Sequence, residues 1–402
     1  MTDEHDHRRL GQDLDLFVFS ELVGSGLPLW TPRGTILRQE LDAYVWELRS
    51  KYGYSRVTIP HITKRDLYEK SGHWEKFSED LFRMTSREGR EYALKPMNCP
   101  PHTQIFARKP HSYREMPQRY TETTMVYRDE QSGELGGLTR VLSITQDDSH
   151  VFCRTNQVKK EFMQTWDIVE TFYKKFGFTL RVRLSFHNPK TPEKYLGTEA
   201  IWSNAENALR EIAKDRNADH FEAPGEAALY GPKLDFMATD SMGREHQVAT
   251  IQLDMNIPER FDLVCTNEKG ERERIVMIHS AIMGSIERFT AVLLEHLAGI
   301  LPLWLSPVQV KVLPVSEKHT AYAKQVSEQL LGAGIRVEID ADDALGKRIR
   351  NTKLQKVPYF LVLGDEEVSA GTATLESRTG KVGALPMVDI IAKLKEEIAA
   401  RA

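Results

Sequence analysis

Ile36, Leu37, Leu41, Tyr44, Val45 and Leu48 recur at three- and four-residue intervals, which predicts an amphipathic helix over 35–51 that Gly53 ends. Val57-Thr-Ile59 then predicts a short strand closed by Pro60. From 92 to 190, strand-like runs alternate with Gly- and Pro-rich turns, with one helical stretch at about 155–175 between them. Leu180, Val182, Leu184 and Phe186 alternate with polar residues, the period of a strand. Runs at 233–239, 246–255 and 274–279 have the same character, and Gly243 supplies the turn between the first two. Up to about residue 305 the pattern is α+β: a mostly antiparallel sheet with flanking helices.

The rhythm changes at Trp304-Leu-Ser-Pro307. Strand 308–315, helix 319–332, strand 335–339, helix 345–355 and strand 357–363 alternate, followed by a β segment at 371–376 and a helix at 388–400. This order predicts a small, mainly parallel α/β module with mixed elements at its end. The expected domains are therefore 1–305 and 306–402.

Composition narrows the class. The 402 residues carry 54 Lys+Arg against 58 Asp+Glu, a net charge of -4, so the chain is no general basic nucleic-acid coat. A local basic patch remains compatible with RNA binding. No apolar run approaches the roughly 18 residues needed to span a bilayer. The stretch Met1-Thr-Asp-Glu-His-Asp-His-Arg-Arg9 has no apolar segment of a signal peptide and is acidic for a mitochondrial presequence. Cys99, Cys153 and Cys265 are too few and too scattered for a disulfide framework. A soluble, reducing, cytoplasmic setting is expected, with Cys153 and Cys265 as small buried hydrophobes.

Three separated segments carry chemistry. They are Tyr52-Gly-Tyr-Ser-Arg-Val-Thr-Ile-Pro60, then Tyr127-Arg-Asp-Glu130 with its Gly-rich loop to Gly137 and Thr139-Arg140-Val141, then Gly284-Ser-Ile-Glu-Arg-Phe289. Singly, Arg128 and Glu130 would read as a strand ion pair and Arg288 as a solvated helix residue. Together and in this order they resemble motifs 1, 2 and 3 of class II aminoacyl-tRNA synthetases. In that chemistry an ionised carboxylate attacks the α-phosphate of ATP, so no general base is needed and catalysis rests on positioning and charge neutralisation. Arginine suits this because its planar fork grips phosphate with two parallel bonds. The resemblance implies Arg128 on the α-phosphate, Glu130 at the adenine, Arg140 in the ATP site, Arg288 on the adenine or γ-phosphate, and Mg²⁺ bridging the phosphates.

Pro96-Met-Asn-Cys-Pro100, Gln146-Asp-Asp-Ser-His150 and Met277-Ile-His-Ser280 resemble the zinc-ligand segments of the threonine-specific branch of class IIa. Gly137-Leu-Thr-Arg140, Tyr230-Gly-Pro-Lys233, Thr250-Ile-Gln-Leu-Asp254 and Val357-Pro-Tyr359 extend the likeness along nearly the whole chain. The resemblance implies Cys99, His150 and His279 as ligands of one Zn²⁺ per subunit. A thiolate and two imidazoles are good zinc ligands, and three protein donors leave open positions for a substrate. Read locally, the C-x-x-H pair Cys99/His102 and the H-x-x-C pair His150/Cys153 are competing metal spacings. The implied substrates are threonine, ATP and tRNA(Thr), giving a threonine–tRNA ligase. Threonine would meet zinc through its amino and hydroxyl groups, and valine would leave the metal short of an oxygen. Asp148 and Gln146, two apart and so on one side of a strand, are expected in the amino-acid pocket. Tyr230, Gln252 and Lys233 join them by family analogy.

Two departures stand out. Pro101 follows Cys99-Pro100 where the family usually has glycine, so a slightly different turn is expected there. The long N-terminal editing domains of most bacterial relatives are not in this sequence. Serine differs from threonine by one methyl group, worth only roughly 10–200-fold in selectivity. The expectation is measurable serine charging and a separate editing factor for seryl-tRNA(Thr). The final module resembles the anticodon-binding domain of class IIa. Lys347, Arg350 and Lys353 share one helix face suited to a phosphate track, while a solvated face is the plainer reading. Glu367 and Arg378 are further tRNA-binding candidates by alignment. Motif 1 implies a homodimer, with helix 35–51 and Pro60 at its interface.

Overall fold

The computed structural model describes residues 5–401. Contacts group the chain into two compact units. One comprises Phe19–Leu27 and Asp42–Val292; the other joins residues up to Val18, Pro28–Leu41 and the chain from Leu293 onward. This grouping draws its lines elsewhere than at 305. No helix among the described residues is long and apolar enough to cross a membrane.

The first unit is built on an eight-stranded sheet. Its order is His220–Pro224, Thr179–Phe186, Lys233–Thr239, Glu245–Asp254, Val276–Ala281, Ser143–Cys153, Gln118–Tyr127 and Ser55–Arg56. Neighbours run antiparallel except at the two ends, where each edge strand pairs in parallel. Alternation divides the sheet into two faces. Leu234, Phe236, Ile251 and Leu253 lie fully buried on one. There the helix Val158–Lys174 brings Trp166 edge-on to Phe236, with ring centroids 5.0 Å apart. Lys233, Asp235, Thr250 and Gln252 fall on the other face, left open for chemistry.

Several elements differ from the sequence expectation. The edge strand is Ser55–Arg56 and not 57–59; Val57 contributes one further bond, to the Thr121 carbonyl. The turn expected after Asn98 is a helix, Cys99–Ala107, with the prolines in its first turn. The first turn has no intrahelical use for an N–H, so proline fits there without loss. The helix Glu199–Asp215 also went unpredicted, although it buries Trp202, Leu209 and Ile212 along one stripe.

The second unit holds a five-stranded sheet ordered Val337–Ile339, Val310–Pro314, Tyr359–Leu363, Thr372–Ser377 and Gly380–Pro386. Its first two pairings are parallel and its last two antiparallel, so the module is half parallel rather than mainly so. The strand Gly380–Pro386 and the short helix Asp365–Ala370 were not expected. Val310, Val312, Val326, Leu330, Leu361, Leu375 and Leu394 form its core.

Candidate active site

Strand register assembles the polar face. Lys233 lies opposite Gln252, Gln252 opposite His279, His279 opposite His150, and His150 opposite Tyr120. One rung along, Asp235, Thr250, Ala281, Asp148 and Glu122 form a parallel row. Residues aligned in this way share a face, so segments more than a hundred residues apart in sequence meet side by side.

Cys99 reaches this face from the start of the helix Cys99–Ala107. Ligand atoms of Cys99, His150 and His279 all lie within 4.8 Å of one another, and all three residues are buried. His279 uses Nε2 on the Asp254 carboxylate at 2.9 Å, leaving Nδ1 for another partner. Burial holds the His150 pKa well below its usual value, so the ring is neutral, the form that ligates. Burial, with the Asp148 and Asp254 carboxylates, raises the Cys99 thiol. A cation beside it would reverse that balance. The donor set of one thiol and two imidazoles fits zinc, with fewer than four protein ligands. The local pairs Cys99/His102 and His150/Cys153 do not form the group; His102 stands behind His150.

Asp148 accepts a 3.0 Å bond from Asn98 Nδ2, and burial raises its pKa. The Tyr230 hydroxyl donates to Gln252 Oε1 at 2.5 Å, and its ring stacks on His279 at 4.7 Å. Lys233 Nζ lies 3.3 Å from Asp235. Gly231, next to Tyr230 in the chain, leaves no room for a side chain, since a Cβ there would fall 1.9 Å from the Leu253 carbonyl oxygen.

An adjoining cleft of about 430 Å³ is lined by Arg128, Glu130, Arg140, Gln146, Thr250 and Arg288, among others. Arg140 Nε donates to Glu130 at 2.8 Å, and its guanidinium also pairs with Glu134. Arg128 Nε is buried without a hydrogen-bond partner, a donor prepared for an anion. The loop before Arg288 is pinned from beneath. Asp147 accepts from the amides of Ile282, Met283 and Gly284 at 2.7–3.1 Å. Glu287 accepts from the Thr145 amide and hydroxyl. Buried Arg49 lies 3.4 Å from Asp147. No role was expected for Asn98, Asp147, Asp254 or Arg49, although the first three lie inside the segments Pro96–Pro100, Gln146–His150 and Thr250–Asp254; Arg49 had no such signal.

In the second unit, Lys347, Arg350 and Lys353 are exposed on the helix Leu345–Leu354. Lys347 also pairs with Asp343. Buried Arg348 turns inward to the carbonyls of Pro314 and Asp340. Arg378 donates to the carbonyls of Lys356 and Leu301, both at 2.7 Å, and Glu367 accepts from Thr374 and the Gly364 amide.

The model of the class II tRNA synthetase core domain (G, H, P, S and T) matches residues 82–297, and that of the anticodon-binding domain matches 309–397. A threonine–tRNA ligase from Gloeobacter violaceus is 46% identical over 99% of the chain, and one from Synechocystis is 45% identical over 98%. A crystal structure of the RNA binding domain of threonyl-tRNA synthetase from Cryptosporidium parvum superposes with a TM-score of 0.93. It is 38% identical, with 98% of each chain covered. The chain belongs to the class II threonyl-tRNA synthetase family. It spans 58–67% of the length of the first four curated relatives. The mixed core sheet followed by an anticodon-binding module is the fold of this family.

Proposed function

We propose that this chain carries the activating and tRNA-recognising functions of a threonine–tRNA ligase, divided near residue 305. The observation that carries the reading is the buried Cys99/His150/His279 group, within 4.8 Å and next to Asp148, at the edge of an arginine-lined cleft. Threonine binds with its carboxylate toward the cleft. Asp148 accepts from its hydroxyl or ammonium, and Gln146, Tyr230, Gln252 and Lys233 complete the pocket. Cys99, His150 and His279 would hold a zinc ion, and it would supply Lewis-acid character that favours a substrate offering both an amino and a hydroxyl group. Valine lacks that oxygen, and a site built for a hydroxyl rejects its analogue by roughly 10⁴-fold or more.

ATP enters as its magnesium complex, with Glu130 and Arg140 on the adenine side. The threonine carboxylate oxygen attacks the α-phosphorus and the bond to the pyrophosphate oxygen breaks. Arg128 neutralises charge that builds on the α-phosphate, and its unpartnered Nε is the donor for it. Arg288 holds the adenine or the γ-phosphate. The terminal ribose hydroxyl of tRNA(Thr) then attacks the acyl carbonyl and AMP leaves. Lys347, Arg350 and Lys353 track tRNA phosphates, and Glu367 and Arg378, whose guanidinium also holds the Lys356 and Leu301 carbonyls, are further RNA contacts. A cytoplasmic homodimer completes the reading.

Amino-acid-dependent ATP–pyrophosphate exchange with Thr, Ser, Val and Pro, together with metal analysis, tests it. Threonine-dependent exchange, weaker serine exchange and one zinc per chain are expected. Exchange by threonine in a metal-free chain, with valine still excluded, overturns the zinc mechanism.

A further inference from the structure

His102 is fully buried in the helix Cys99–Ala107, three residues after Cys99 and so on the same side of that helix. It is outside the ligand group, yet its ring meets His150 edge-on, with centroids 4.7 Å apart. His102 Nδ1 lies 2.8 Å from His150 Nδ1, a hydrogen-bond distance. One of these nitrogens must carry the proton and the other the lone pair. On the far side, His102 Nε2 lies 3.7 Å from Glu122 Oε2. Both atoms are buried and neither has a hydrogen-bond partner, so they face each other as charge and dipole. The other Glu122 oxygen is held by the Ile59 amide at 3.2 Å.

We propose that Glu122 and His102 are positioning residues that set the proton arrangement of His150 for metal binding. This rests on the zinc reading above. A carboxylate facing His102 Nε2 favours a proton there and disfavours a lone pair. His102 Nδ1 is then an acceptor, so His150 Nδ1 must be the donor. That leaves the lone pair of His150 on Nε2, pointing to the shared space with Cys99 and His279. The opposite arrangement puts a proton on His150 Nε2 and blocks it as a ligand. Asp148, with Oδ1 3.8 Å from His150 Nε2, pulls toward that blocked form. Glu122 is the counterweight on the other end of the pair. Hydrogen-bond partners of ligating histidines typically change metal affinity by ~10–100-fold.

The test is zinc affinity of the full chain, measured by chelator competition without substrates, for unmodified protein, Glu122→Gln, His102→Phe and His102→Gln. Glu122→Gln keeps the shape but offers an N–H to His102 Nε2, which favours the wrong proton arrangement. It should weaken zinc ~10–100-fold, as should His102→Phe. His102→Gln keeps an acceptor for His150 and should recover most of the loss. Equal affinity in Glu122→Gln and the unmodified chain overturns the proposal, as does equal weakening in His102→Phe and His102→Gln, which would mean packing alone. Should His102→Phe fail to fold, the isosteric Glu122→Gln decides. An unmodified chain that binds no zinc brings down the zinc reading itself, and this proposal with it.

Discussion

Cys99 enters the site at the first turn of a helix, and its thiol has no chemistry without the two imidazoles that the sheet brings to it. Cys99→Ala should therefore abolish stoichiometric zinc and raise valine-dependent exchange relative to threonine; zinc analysis and competitive exchange read both. Arg128 has the opposite character, a charge with one donor left unspent. Replacing it by alanine should lower exchange by about 10²–10³-fold while the fold and zinc content persist. Asp147 supplies a pH dependence. Burial raises its pKa to about 6, against the pull of Arg49 and the loop amides. Below that value it is protonated and holds the amides of 282–284 less firmly. The KM for ATP should rise as pH falls through about 6, a component absent from Asp147→Asn. Stability moves the other way. Between the unfolded value near 3.8 and about 6 the folded chain binds the extra proton, so this residue's contribution grows as pH falls across that window.

Elements explain why particular residues are tolerated or required. Pro101 in place of the family's glycine suggested an altered turn, because proline fixes φ and removes a donor. Pro100 and Pro101 occupy the one part of a helix where a missing N–H costs nothing. Pro101→Gly should then destabilise the chain by about 1 kcal/mol through the unfolded state while zinc affinity stays the same. Gly284, by contrast, has a φ of +75°, and a Cβ would fall 2.8 Å from the Val248 carbonyl oxygen. Gly284→Ala should disturb the loop that carries Arg288 and raise the KM for ATP in the exchange assay. The long strands were legible because alternation leaves one polar and one apolar side. The two-residue edge strand Ser55–Arg56 was not, since two residues carry no period. The half-antiparallel end of the small sheet was missed for a similar reason: exposed, Gly-containing Gly380–Pro386 has little apolar alternation.

At the scale of the whole molecule, activation and tRNA recognition should separate. Neutralising Lys347, Arg350 and Lys353 together should weaken tRNA charging and flatten its salt dependence, with threonine-dependent exchange unchanged, because phosphate contacts act through counterion release. Light scattering should report a dimer. Order of motifs along the chain was readable from sequence, and so were the α+β core and the alternating module after it, because residue identity and hydrophobic period are local properties; Cys99, His150 and His279 were grouped only by family resemblance, since local spacing offered other pairs. What the sequence could not determine was partnership. By spacing, His102 looked like a fellow metal ligand of Cys99, and Glu122 looked like nothing at all. Their roles depend on strand register and on which side chain ends beside which across the sheet, and those distances exist only once residues far apart in the chain are packed together.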